Sequence, residues 1–163
     1  MKKKIFTLTI FTFVFGLWVF AQNNRIEPNT CIKIETGTTV DFASGNLLLE
    51  SDATGDASLI DLGSVNYSGG GQTDVQRYLT EGKWHLLSAP ITSAESGMFI
   101  DDYLQKHAES SNAWTDVSPD NYSLAAMQGY ALWSVEVSPT TEVFSGTTHT
   151  GTYNKSFTQN GDG

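Results

Sequence analysis

Cysteine is almost missing from this 163-residue sequence; Cys31 is the only one. No disulfide can form within the chain, so the fold must rest on its apolar core. Cys31 itself reads as a small buried apolar residue at the start of a strand. Positive charge is scarce as well: nine Lys and Arg stand against eighteen Asp and Glu. Clustered cations are needed to hold nucleic acid or anionic lipid, and beyond Lys4 none are found. Beyond Ala21 no apolar run is long enough to cross a membrane as a helix. The serine-nucleophile pattern G-x-S-x-G is absent, and so are H-x-H, H-E-x-x-H and any Cys/His cluster. Hydrolase and zinc chemistry therefore have no motif to start from.

What is present begins with Lys2, Lys3 and Lys4, followed by the apolar run "IFTLTIFTFVFGLWVFA". A basic start, an apolar stretch and a small-residue junction make a secretory signal peptide over residues 1–21. Val19 and Ala21 occupy the junction positions, which places the cut before Gln22. Removing the three signal lysines leaves six basic against eighteen acidic residues, a formal charge of −12. The carboxylates are scattered rather than blocked, so they read as solubility. After cleavage, no membrane insertion is expected. About 140 residues remain, enough for one core.

Residues 22–30 form a polar leader. From 31 to 68, glycines at 37, 45, 55 and 63 separate short runs such as "CIKIE", "TTVDF", "NLLLES" and "ASLIDLG". Turn signals at this spacing mark an all-β layer, either a meander or solenoid-like stacked strands. "SGGGQ" at 68–72 is read as a flexible break between this layer and a second β-module over 69–163. That module opens on "TDVQRYLTEGKWHLLSAP". Glu81-Gly82 predicts a tight hairpin turn, with Leu79 opposite Trp84 and Tyr78 opposite His85. Val75, Leu79, Trp84 and Leu86 then share one apolar face. "SGMFIDDYL" predicts one short helix, with Phe99 near Tyr103 and Ile100 near Leu104. "LQKHAESSNAWTDV" predicts a hairpin turning at "ESSN". "GYALWSVEV", "TEVFSG" and "TYNKSFT" predict further antiparallel strands. The fold expected is all-β: an antiparallel β-sandwich-like module preceded by the short layer, with one helical turn.

Each candidate for chemistry has a plain structural reading. His85 could be oriented by Tyr78 as a base, but with no nucleophile it reads as a satisfied flank histidine. Arg77 is expected to pair with an acidic neighbour or to cover Trp84. Asp101 and Asp102 are adjacent and so point apart, which suits polar positions better than glycosidase carboxylates. "DATGD" at 52–56 lacks the alternating ligands of a calcium loop and favours a plain turn, leaving calcium as the one cofactor to test. No other cofactor is expected. Among the aromatics, Trp84 and Trp133 are expected in the core by strand alternation. Trp114 and Tyr130 remain as candidate glycan contacts.

The order "LLLESDATGDASLIDLG", "VQRYLTEGKWHLLSAPI", "MQGYALWS", "FSGTTHTGTYNKSFT" resembles the N-terminal region of large type IX-secreted surface proteins of gliding Gram-negative bacteria. The likeness covers most of the chain from Cys31 onward. It implies export by the Sec route and a place outside the cell or on its surface. It also implies that the chain is a fragment of a longer protein carrying a distant sorting domain; a truncated product would stay in the periplasm. The matching positions are aromatic, glycine and β-branched, so no catalytic residue carries over. The function expected is a non-catalytic, exported, adhesion-type β-module, with an extracellular glycan or another surface protein as partner. The alternative is an accessory glycan-binding domain of a secreted polysaccharide-degrading enzyme.

Overall fold

A computed structural model describes residues 24–118 and 121–156. The expected signal peptide lies outside these residues, as does the end of the last expected strand. The described chain is all-β, and its only helices are two short 3-10 turns, Ser96–Phe99 and Glu109–Ser111.

Short strands punctuated by turns can bury their apolar residues by stacking coil on coil. The first half does so. Its strands are β1 (Asn24–Ile26), β2 (Cys31–Ile34), β3 (Thr39–Asp41), β4 (Leu47–Leu49), β5 (Ser51–Asp52), β6 (Gly55–Asp56), β7 (Ser58–Asp61) and β8 (Ser64–Asn66). The strand β9 (Thr73–Leu79) follows them. Three parallel ladders result: β1 with β4 and β9, β2 with β7, and β3 with β8. The solenoid-like alternative is therefore the one adopted. Ile26, Leu49 and Val75 stack in one column through three strands. Phe42 and Tyr67 stack in another, with ring centroids 5.6 Å apart. The hydroxyl of Tyr67 hydrogen-bonds the Thr73 hydroxyl, and burial pushes its pKa up. β5 and β6 form a two-residue-per-arm hairpin that interrupts the second coil.

The break expected at 68–72 is a corner of this solenoid. A Cβ on Gly69 would lie 2.1 Å from the Ala43 carbonyl oxygen, and one on Gly71 would lie 2.0 Å from that of Gly45. Only glycine lets successive coils approach so closely. The Leu47 N–H donates to the Gln72 carbonyl across the same corner.

Cys31 does begin a strand, but it is exposed rather than buried. It sits on the first coil, where β2 pairs with β7 on one side.

The second half contributes β10 (Trp84–Leu87), β11 (Tyr103–Ala108), β12 (Ala113–Asp116), β13 (Tyr130–Trp133) and β14 (Thr140–Gly146). β14 lies antiparallel to β9 and extends the first solenoid sheet. The other four form an antiparallel sheet in the order β10-β13-β11-β12. Leu79 and Phe144 from the first sheet pack with Leu87, Leu104, Tyr130 and Leu132 from the second. This is the sandwich-like part. Val75 touches both this core and the solenoid core, so the two are continuous.

Three local expectations need correction. The Glu81-Gly82 turn does not join a hairpin. Both edges of β9 are taken, by β4 and by β14, so β10 must pair elsewhere and joins β13. The helix expected through Tyr103 ends at Phe99, and Tyr103 opens β11. Strand alternation then buries Leu104 and exposes Tyr103. Finally, residues 152–156 form no strand. The β11–β12 hairpin matches its expectation: Ala108 faces Ala113, and Asn112 closes the turn in the left-handed region at φ 48°.

Candidate functional site

The second sheet has one face in the core and one in solvent. Leu87, Tyr130, Leu132 and Leu104 point inward. Their neighbours point outward, and a large share of those are aromatic. Trp84 lies opposite Trp133, and Trp133 lies opposite Tyr103, so three rings form a row across β10, β13 and β11. Trp84 is 53% exposed and Tyr103 66% exposed. Trp84 and Trp133 meet edge to face, centroids 5.6 Å apart at 64°. Neighbouring strands run about 4.8 Å apart, so the row spans roughly 10 Å.

A second aromatic pair lies further along the sheet. His107 and Trp114 are register partners and also meet edge to face, with centroids 5.3 Å apart. Trp114 is 50% exposed. Between the two aromatic groups lie Leu86, Ala131 and Gln105, in register with one another. A cavity of about 300 Å³ borders Trp114, His107 and Leu86, with Met127 and Lys155 at its rim. Met127 holds φ 56°, a left-handed conformation that costs a bulky side chain strain. Met127 is the third residue of a turn closed by the Gln128 N–H donating to the Ala125 carbonyl, a position that takes a positive φ.

Trp84 was expected in the core with Leu86, and it is not there. The loss of the hairpin inverts the faces of β10: Leu87 goes in, while Trp84 and Leu86 go out. Tyr130, expected beside Trp114 as a glycan contact, is 1% exposed. Its hydroxyl accepts the Ala125 N–H at 2.8 Å, so it is a structural core residue. Trp114, which the sequence left open between core and glycan contact, lies on the surface. The sequence reading missed Trp84, Trp133 and Tyr103 as a row. Their alternation was visible, but not which side of the sheet they occupy.

The remaining polar candidates are dispersed. The Nε2–H of His85 donates to the Thr80 carbonyl at 2.9 Å, closing the corner between β9 and β10. His107 contacts the Asn112 side chain, and His149 contacts the Tyr153 hydroxyl. Asp102 accepts the Val135 N–H at 2.9 Å, while Asp101 is exposed. Asp52 accepts both the N–H and the hydroxyl of Thr54, which holds its carboxyl below the usual range and makes the 52–56 segment a plain turn. Among the described residues, no three His, Cys, Asp or Glu side chains gather as a metal cluster would. Among the same residues, no helix is long and apolar enough to cross a membrane.

Comparison with known proteins adds no relative: no family model, curated protein or solved structure matches the chain.

Proposed function

We propose that this chain is a non-catalytic, exported, adhesion-type β-module that binds a glycan on the outer face of its second sheet. The observation that carries the reading is the row Trp84–Trp133–Tyr103, whose outer members are exposed and whose middle ring is partly buried between them. Water makes no favourable use of half-exposed indole rings, and a soluble chain rarely keeps such a patch without a partner. The C–H face of a pyranose ring stacks on an aromatic ring and leaves the sugar hydroxyls in water. A flat sheet presents such rings at fixed spacing, held by the registers beneath them, so little ordering entropy opposes binding. Trp114 and the cavity beside it extend the same face toward the far edge strand.

The acidity of the chain fits this partner class. A formal −12 outside the signal peptide repels nucleic acid and anionic lipid but is indifferent to a neutral glycan.

A glycan array probed with the wild-type protein, Trp84→Ala and Trp114→Ala tests the reading. Binding that disappears in variants that remain folded at the assay temperature supports it. Wild-type protein that binds no glycan at millimolar sugar removes it.

A further inference from the structure

A second cavity, of about 320 Å³, lies on the other side of Leu86. Leu86 borders both this cavity and the one beside Trp114, so it forms a ridge between them. The floor is apolar, made by Val75, Leu87, Pro90 and Phe144. The polar groups are Asp56, Gln76, Arg77 and Ser88. Arg77 donates through Nη1 to Asp56 Oδ2, and Ser51 donates to Asp56 Oδ1. The Arg77 Nε is buried and has no partner. A buried unpaired donor is costly, so water or a ligand belongs beside it.

We propose that this cavity takes the terminal ring of a neutral glycan whose following rings lie on the aromatic face; the inference rests on the glycan reading above. The size is at the small end for ligand sites, which suits one ring rather than several. The apolar floor matches the C–H face of a pyranose. The rim matches its hydroxyls, each of which can donate and accept: the guanidinium and the Gln76 amide donate, while Asp56 and Ser88 accept. Asp56 already balances the charge of Arg77, so the cavity offers no net attraction to a carboxylate. That selects a neutral sugar over a uronic acid. A linear chain leaving the cavity over Leu86 reaches His107 and Trp114 without leaving the protein surface.

The test uses calorimetric titration of the protein with β-1,4-linked gluco- and manno-oligosaccharides of two to six rings, and with an oligouronate of matching length. Arg77→Met removes the donors, and Ser88→Tyr fills the mouth from an exposed position without touching the core. Both variants are expected to bind the neutral oligosaccharides at least tenfold more weakly than wild type. If Arg77→Met fails to fold, Ser88→Tyr decides. Wild-type affinity in Ser88→Tyr, alongside lost binding in Trp84→Ala, overturns the end-ring site and leaves the aromatic face standing. Tighter binding of the oligouronate overturns the neutral class. Absence of binding by wild type to every probe overturns both.

Discussion

Trp84 and Trp133 touch edge to face across the β10–β13 pair, on the solvent side of a sheet whose other side is core. That placement separates stability from binding. An edge-to-face aromatic pair contributes about 0.5–1.5 kcal/mol beyond its buried area. Trp84→Ala is therefore expected to lower stability by about 1 kcal/mol, well short of the ~3–5 kcal/mol of a core tryptophan. Glycan affinity should fall at least tenfold in the same protein. Urea unfolding and titration on one preparation check both. A large loss of stability would place Trp84 in the core after all.

The opposite face behaves differently. Leu132 is adjacent to Trp133 in sequence, yet it is fully buried in the sandwich core. Leu132→Ala removes packed atoms and leaves a cavity, which is expected to cost about 2–5 kcal/mol. Binding by the fraction that remains folded should be unchanged. If neighbouring substitutions at 132 and 133 had equal effects on stability, the two-faced description of β13 would be wrong.

The solenoid corner gives a third contrast, between adjacent glycines. Gly71 has no room for a Cβ, because the Gly45 carbonyl oxygen would lie 2.0 Å away. Gly70 has open space but holds φ 77°. Alanine at 71 must push the coils apart, at about 1–3 kcal/mol or more. Alanine at 70 meets only left-handed strain, about 1–2 kcal/mol. Gly71→Ala should therefore melt lower than Gly70→Ala. The reverse order would show that the corner is not closely packed.

These contrasts mark where the sequence was legible. The β11–β12 hairpin is local, and "ESSN" announced it. The short runs between glycines announced strands. Pairing was harder, because it depends on which edges are already occupied. Alternating residues around Glu81-Gly82 look like a hairpin from either side. Only the presence of β4 and β14 on β9 shows that β10 must turn away. That single long-range fact moves Trp84 from core to surface and brings the candidate site into being. The solenoid had a similar difficulty. Its ladders join residues 23 to 27 positions apart, with no repeated residue pattern to reveal the period. The glycines at 69 and 71 read as flexible because the carbonyls they press against lie a whole coil earlier.

The last prediction concerns pH. Glu142 sits on β14, opposite Arg77 in the ladder, yet Arg77 is paired with Asp56. Burial raises the pKa of Glu142 above its ordinary value of 4.5, and the charges of Asp102 and Glu136 raise it further. The folded protein thus holds this proton at pH values where the unfolded chain has released it. Between those two values the native state binds more protons, so stability falls as pH rises through the window just above 4.5. Above the window the ionised carboxylate is a constant burden on the fold. Glu142→Gln should therefore be more stable than wild type at pH 7, and the difference should vanish as pH drops below the unfolded value. Because the side chain is partly solvated, the gain should stay under about 1 kcal/mol. Melting temperatures of both proteins in low salt from pH 3 to 8 measure it. A glutamine variant no more stable than wild type at pH 7 would mean that Glu142 ionises without opposition, and that its neighbours lie too far away or too well screened to matter.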